Sequence, residues 1–197
     1  MKTYFLFLLL IAVVSFPLFL LFFSETYLHV ASMHLAMVAL AAYLLWKKDL
    51  KTTLDGIGFP GSLKNIAVYY IGGLAALFAL MLAFGIIATL ADFNDQQKIS
   101  GKLEGLPIYV LMLAIFLAPF SEELLFRASL VPRVGVLPAA LLFGLMHLAY
   151  GSVVEIIGTF LVGLLLGLLY QRSKSITPCI LVHLTYNALS LLAMGVL

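Results

Sequence analysis

Two adjacent glutamates, Glu122 and Glu123, lie between two strongly apolar stretches of the chain. An ionisable side chain at membrane depth is unfavourable unless it is paired or hydrated, so it marks a functional site by default. His147 and His183 follow within the next apolar stretches. A carboxylate and histidines in a poorly solvated place can take up and release protons. The residue types therefore indicate acid–base chemistry within a membrane.

The two acids are expected to have different roles. Consecutive helical residues point about 100° apart, so one carboxylate can face a cavity while the other faces a neighbouring side chain. Glu123 and Arg127 lie four positions apart, in the acid-before-base order that favours an ion pair. We expect Arg127 to hold Glu123 ionised, which leaves Glu122 as the carboxylate that can act as a base.

Three helices are expected to bring polar groups to one level. Phe143 and His147 share a helical face at i and i+4, and so do His183 and Asn187. At a rise of about 1.5 Å per residue, Glu122 and the two histidines all lie near the middle of a hydrocarbon core about 30 Å thick. This match in depth predicts a single intramembrane cavity.

The ordered motifs resemble those of a known family. In chain order the motifs are Glu122-Glu123-x-x-x-Arg127, Phe143-x-x-x-His147 and His183-x-x-x-Asn187. They resemble those of the CAAX-protease and bacteriocin-processing family of intramembrane proteases, which includes the prenyl-protein endopeptidase. The resemblance covers about residues 107–196. It implies an intramembrane endopeptidase that cleaves a membrane-associated, prenylated or bacteriocin-like peptide.

The resemblance also implies a role for each residue. Glu122 would activate a water for attack on a peptide carbonyl, with assistance from His147. His183 and Asn187 would stabilise the oxyanion that forms, as preorganised donors do in acyl transfer. The supporting residues would be Glu123, Arg127 and Phe143.

Two forms of this mechanism are open, one with a bound metal ion and one without. A glutamate and two histidines could bind zinc and leave one position open for water. The ligands in a metalloenzyme would be Glu122, His147 and His183. These histidines lie on separate helices and do not form a His-Glu-x-x-His motif. We therefore favour a mechanism without an obligatory cofactor, with zinc as the alternative.

Composition predicts the fold class. Of the 197 residues, 64% are hydrophobic and 10% charged, and the mean hydropathy is +1.17. These values exclude a soluble domain and predict an all-α, polytopic bundle of transmembrane helices in contact with the lipid bilayer. We expect one integral membrane domain over residues 1–197, with the catalytic half at about 106–197. Nothing in the chain indicates a nucleic-acid partner or defines an oligomer.

About seven apolar segments could cross a membrane. They are residues 4–23, 27–46, 66–91, 106–128, 134–150, 153–171 and 176–196. With the N-terminus in the cytoplasm, nine of the 11 Lys and Arg residues lie on the inner side, and only Lys98 and Lys102 lie outside. This bias follows the positive-inside rule. It supports the cytoplasmic N-terminus and the odd number of spans, and we expect a multi-pass protein of a bacterial or archaeal cell membrane.

Two other classes of protein share some of these features. A non-catalytic immunity or scaffold protein could keep the helices and bind a peptide or toxin. A small proton-coupled transporter could use midplane acids and histidines as a proton relay, although the inverted repeats typical of transporters are not found. His34, in the second segment, matches none of the three motifs, and we expect it to be a packing or hydrogen-bonding residue.

Overall fold

The computed structural model describes residues 25–93 and 95–197, and in these residues it contains helices and turns without β-strands. The eight helices of this part of the chain are α1 Glu25–Leu45, α2 Leu50–Gly56, α3 Leu63–Leu90, α4 Gln97–Leu103, α5 Ile108–Val134, α6 Val136–Met146, α7 Val153–Ser173 and α8 Ile176–Ala193. Helix α6 continues as a 3₁₀ turn, His147–Tyr150. The predicted all-helical membrane architecture is thus confirmed.

The described residues contain four helices, or up to five if a bent pair counts as one span, that could cross a membrane. Helices α3, α5, α7 and α8 are long and apolar enough to cross a membrane. Helices α1 and α2 meet at a bend of 94° and could together supply a fifth span. Helix α6 is apolar but short, so the count of about seven is not confirmed. The predicted span 4–23 lies outside the described residues.

Polar residues define where several helices begin. The side chains of Asp49, Ser62, Ser152 and Ser175 accept hydrogen bonds from the first backbone N–H groups of α2, α3, α7 and α8, respectively. These N–H groups have no partner within the helix, so a side-chain acceptor stabilises each helix start. Short polar turns between long apolar runs therefore fix the ends of the helices.

Helix α5 contains two widened, π-helical segments, Leu113–Leu117 and Glu123–Leu130. Each lies just before a proline, Pro119 and Pro132. A proline inside a helix has no N–H to donate to the preceding turn, and its ring crowds that turn. A π-helical turn contains an additional residue, which relieves the crowding. The single α-helical turn between the two segments, Ala118–Glu122, carries the first glutamate.

Glycines allow α6 and α7 to approach closely. A Cβ atom on Gly163 would lie 3.1 Å from Ala140, and one on Gly167 would lie 2.7 Å from a methyl group of Val136. The Gly163-x-x-x-Gly167 spacing therefore serves helix packing, as small residues do in membrane bundles. The same close approach positions the Phe143 ring, which would lie 3.3 Å from a Cβ on Gly163.

The buried core lies where the later helices meet. Its members include Phe126 of α5, Phe143 of α6, Leu166 of α7 and Val182 of α8, all nearly inaccessible. Helix α1 packs along α5 and contributes Met37 and Ala41 to the same core. The motif-bearing helices are thus held in one packed unit.

Candidate active site

Glu123 and Arg127 form a buried ion pair within α5. The carboxylate oxygen Oε1 lies 2.9 Å from Nη1 of Arg127, and both side chains are almost completely inaccessible. The contact is an ion pair without hydrogen-bond alignment. The guanidinium carbon also lies 4.3 Å from the centre of the Phe143 ring. Ring and carboxylate together compensate the buried cation.

His183 of α8 lies between the two glutamates. Its Nδ1 atom is 2.8 Å from Oε1 of Glu123, a buried hydrogen bond. Its other ring nitrogen, Nε2, lies 3.7 Å from Oε2 of Glu122. A carboxylate accepts but does not donate, so Nδ1 carries the hydrogen. Glu123 therefore orients the ring, and Nε2 is the nitrogen that faces the second acid.

His147 is oriented by its own helix. Its Nδ1 lies 2.9 Å from the carbonyl oxygen of Phe143. Because a carbonyl can only accept, Nδ1 carries a hydrogen. In the neutral form of the ring the lone pair is then at Nε2. The ring packs edge-on against Phe143, with 5.0 Å between centroids, and stacks on Tyr150 at 6.0 Å. This arrangement leaves His147 with one free proton acceptor.

Asn187 completes the hydrogen bonding of α5. Its Nδ2 donates to the carbonyl oxygen of Ala114 at 2.9 Å. In the widened turn the Ala118 N–H donates to the carbonyl oxygen of Leu113 rather than to that of Ala114. The next N–H along the helix would come from residue 119, but this residue is a proline and has none. Asn187 takes the place of this missing donor. One of its two amide hydrogens is therefore committed to the backbone.

The structure brings most of the predicted residues into contact. Glu122 and Glu123 meet at His183, and the Phe143 ring packs against both histidines, at 5.9 Å between centroids for His183. In the described part of the chain, no hydrogen bond joins Glu122 to His147. Asn187, one turn beyond His183, is connected to α5 through the backbone of Ala114.

Two residues that match none of the motifs also lie at this site. Tyr150 stacks on His147, and His34 of α1 donates to Ser121, the residue before Glu122. His34 is 4% exposed. A buried histidine within an apolar span is itself a signal of function, and this rule identifies His34 without reference to any motif. Tyr150 carries no comparable signal because it lies in a turn.

The candidate metal ligands of the zinc alternative are Glu122, His147 and His183. No group of three His, Cys, Asp or Glu side chains within residues 25–93 and 95–197 is close enough to hold one ion. Nδ1 of each histidine donates to an oxygen, and Nε2 of His183 approaches Glu122 at 3.7 Å. The alternative with zinc stays a prediction.

Comparison with known proteins agrees with the motifs. Residues 104–189 match the family described as Type II CAAX prenyl endopeptidase Rce1-like, so the predicted resemblance is confirmed for this part of the chain. The matched region contains all three motifs.

Two bacterial relatives carry no stated activity. An "Uncharacterized protein" of Mycoplasma capricolum is 26% identical in an alignment of 138 residues, with a coverage of 64% for this chain but only 40% for the relative. The Escherichia coli "Uncharacterized 24.3 kDa protein" is 24% identical over 181 residues, 86% of this chain and 82% of the relative. No solved structure is a significant match.

Proposed function

We propose that this protein is an intramembrane endopeptidase that uses Glu122 to activate a water molecule. The observation that carries the proposal is the convergence of Glu122 and Glu123 on His183 inside an apolar bundle. The match of residues 104–189 to the CAAX endopeptidase family supports the same reaction class. Buried charge in this setting is unfavourable for stability, so its presence requires a functional reason.

The reaction would begin with proton transfer from water to the Glu122 carboxylate. The resulting hydroxide attacks the carbonyl carbon of the peptide, and the carbonyl oxygen becomes an oxyanion. The free Nε2 lone pair of His147 can accept a hydrogen bond from the same water and so direct it. When the C–N bond breaks, the proton held on Glu122 passes to the leaving nitrogen. The products are a carboxylic acid and an amine, and Glu122 is restored.

His183 and Asn187 would stabilise the oxyanion. Since Nδ1 of His183 donates to Glu123, the nitrogen available to the substrate is Nε2. Nε2 donates when it also carries a hydrogen, and Glu123 holds the ring in place through Nδ1. The second amide hydrogen of Asn187 supplies a further donor. Each such donor contributes roughly 3–4 kcal/mol to the transition state.

The substrate class follows from the location of the site. A peptide reaches this bundle most directly when it is already held at the membrane, through its own apolar segment or an attached lipid. We therefore propose a membrane-associated or prenylated protein as substrate, and the cell membrane as the place of action. The positive-inside distribution of Lys and Arg supports a cytoplasmic N-terminus.

A peptide panel tests the proposal. Purified protein in lipid vesicles is incubated with prenylated CAAX peptides, unmodified counterparts and bacteriocin-leader peptides, and the products are identified by mass spectrometry. We expect cleavage at one internal bond of a membrane-bound peptide. Tight binding of a peptide without cleavage under any condition would instead favour an immunity or scaffold protein.

A further inference from the structure

We infer that His34 is a positioning residue of the proposed active site, which holds the turn of α5 that carries Glu122. The inference rests on the proposed function. His34 belongs to α1, outside the segment 104–189 that matches the endopeptidase family. The first half of the chain would therefore contribute a residue that the three motifs do not contain.

A buried hydrogen bond joins the two helices. Nδ1 of His34 lies 2.8 Å from Oγ of Ser121, and these residues are 4% and 0% exposed. The Ser121 hydroxyl donates to the carbonyl oxygen of Ala118 at 3.0 Å. Its oxygen is then the acceptor, so the histidine donates through Nδ1. The hydrogen bonds run from α1 to the backbone of the turn Ala118–Glu122.

That turn needs an external support. It lies between the two π-helical segments of α5, where hydrogen-bond geometry is less regular than in an α-helix, and it contains Pro119. Backbone hydrogen bonds alone therefore define the direction of Glu122 poorly. Ser121 immediately precedes Glu122, so a hydrogen bond from another helix fixes the turn relative to the rest of the bundle.

Helix α1 also packs along the part of α5 that carries the two glutamates. Through Ser121, His34 is joined to the residue that precedes Glu122. An apolar side chain could fill the same space, but it could not donate to Ser121. This difference separates positioning from simple packing.

Four variants test the role of the hydrogen bond. His34→Ala removes the donor, and His34→Asn keeps a donor near the position of Nδ1. Ser121→Ala removes the acceptor. Met37→Ala is the matched control, since Met37 is a buried residue of α1 (5% exposed) whose truncation opens a cavity and leaves the hydrogen bond intact. For each variant, kcat and KM for a cleaved peptide and the temperature of unfolding are measured in lipid vesicles.

Positioning predicts a specific pattern. His34→Ala and Ser121→Ala should each lower kcat by about 10²-fold with little change in KM, because a small misplacement of a reacting group has an effect of this size. The double variant should lose no more than either single variant. His34→Asn should recover most of kcat. Met37→Ala should lower the unfolding temperature and retain kcat.

Three results would overturn the inference. The first is a wild-type kcat in His34→Ala, and the second is a kcat in His34→Asn as low as in His34→Ala. The third is a loss of kcat in Met37→Ala as large as in His34→Ala, which would assign the effect to packing. In all three cases the wild type cleaves peptide and the proposed function stands. If the wild type cleaves none of the peptides, the proposed function and the role of His34 fall together.

Discussion

At the scale of single residues, the site is organised by which nitrogen of each histidine carries a hydrogen. Glu123 accepts from Nδ1 of His183, and the Phe143 carbonyl accepts from Nδ1 of His147. In both rings Nε2 is then the nitrogen that remains for the substrate or the water. In the proposed mechanism His147 would direct the water that Glu122 activates, and His183 would bind the oxyanion.

Replacement of Glu123 should affect both stability and turnover. Glu123→Gln leaves the Arg127 guanidinium without a counter-charge at a site where both partners are inaccessible. Loss of one partner of a buried ion pair destabilises by about 3–5 kcal/mol. Activity should fall as well, because Glu123 accepts the hydrogen bond that orients His183, and a neutral amide oxygen is a weaker acceptor than a carboxylate.

Thermal unfolding in detergent measures the effect on stability. Glu104→Gln is the control, since Glu104 is an exposed acid outside the long helices. The ion-pair account would be wrong if the two variants unfolded at the same temperature.

At the scale of the helices, prolines explain why α5 is irregular and why Asn187 is needed where it is. Pro119 leaves the Ala114 carbonyl without its helical donor, and Asn187 supplies one from α8. A residue assigned to oxyanion binding from its motif thus also joins two helices. The sequence contained both prolines, yet the spacing rule for a regular helix does not predict a widened turn.

Restoring the missing N–H should separate helix regularity from activity. Pro119→Ala removes the crowding ring and supplies an N–H that can bond to the Ile115 carbonyl as in a regular α-helix, so the widened turn can close and Glu122 should rotate away from His183. We expect an unchanged or raised unfolding temperature together with a fall in kcat. Pro107→Ala, at the N-terminal boundary of α5, is the control. Full activity in Pro119→Ala would show that the widened turn does not serve catalysis.

A polar cap holds the start of α7 outside the proposed site. The Asp95 carboxylate accepts from the Ser152 hydroxyl at 2.5 Å and from the backbone N–H groups of Val153 and Val154 at 2.8 and 3.2 Å. The pKa of Asp95 is lowered from 3.8 to about 2, chiefly by the hydrogen bond from Ser152. Desolvation acts in the opposite direction, and the backbone N–H groups add to the lowering. A lowered pKa means that the ionised form stabilises the fold.

This cap predicts a pH-dependent difference in stability. The contribution of Asp95 is complete above the unfolded-state pKa near 3.8 and is lost as the pH falls towards 2. Asp95→Ala should therefore unfold at a lower temperature than the wild type at pH 6, and the difference should shrink between pH 4 and pH 2. A constant difference across this range, or none at pH 6, would contradict the assignment. Glu104→Ala serves as the exposed control.

At the scale of the whole molecule, the helices were predicted more accurately than the number of spans. Long apolar runs define α3, α7 and α8 to within a few residues of the expected segments. The segment at 134–150 becomes a short α-helix followed by a 3₁₀ turn, because hydropathy reports burial in an apolar environment and not the length that crosses a bilayer.

The chemistry of the site was predicted best where residues lie one helical turn apart. The spacing of Glu123 and Arg127 predicted their ion pair, which the structure contains. Contacts between helices depend on how the bundle packs, so spacing along the chain could not reveal them. The hydrogen bond from His183 to Glu123 and the one from His34 to Ser121 are both of this kind.

Metal removal tests whether the proposed activity requires a metal ion. Because the described His, Cys, Asp and Glu residues form no three-ligand group, we expect peptide cleavage to be unchanged after dialysis against a strong chelator. Metal analysis of the active protein should show no stoichiometric zinc. Loss of activity in chelator, with recovery on addition of zinc, would instead establish a metalloenzyme.

The central claim is that Glu122 is the base that activates the water. Glu122→Gln is compared with the wild type and with Glu104→Gln in lipid vesicles, with turnover and peptide binding measured on the same preparations. The account predicts that turnover in Glu122→Gln falls by at least about 10²–10⁴-fold, while peptide binding and the unfolding temperature remain close to those of the wild type. Equal turnover in Glu122→Gln and the wild type would contradict it.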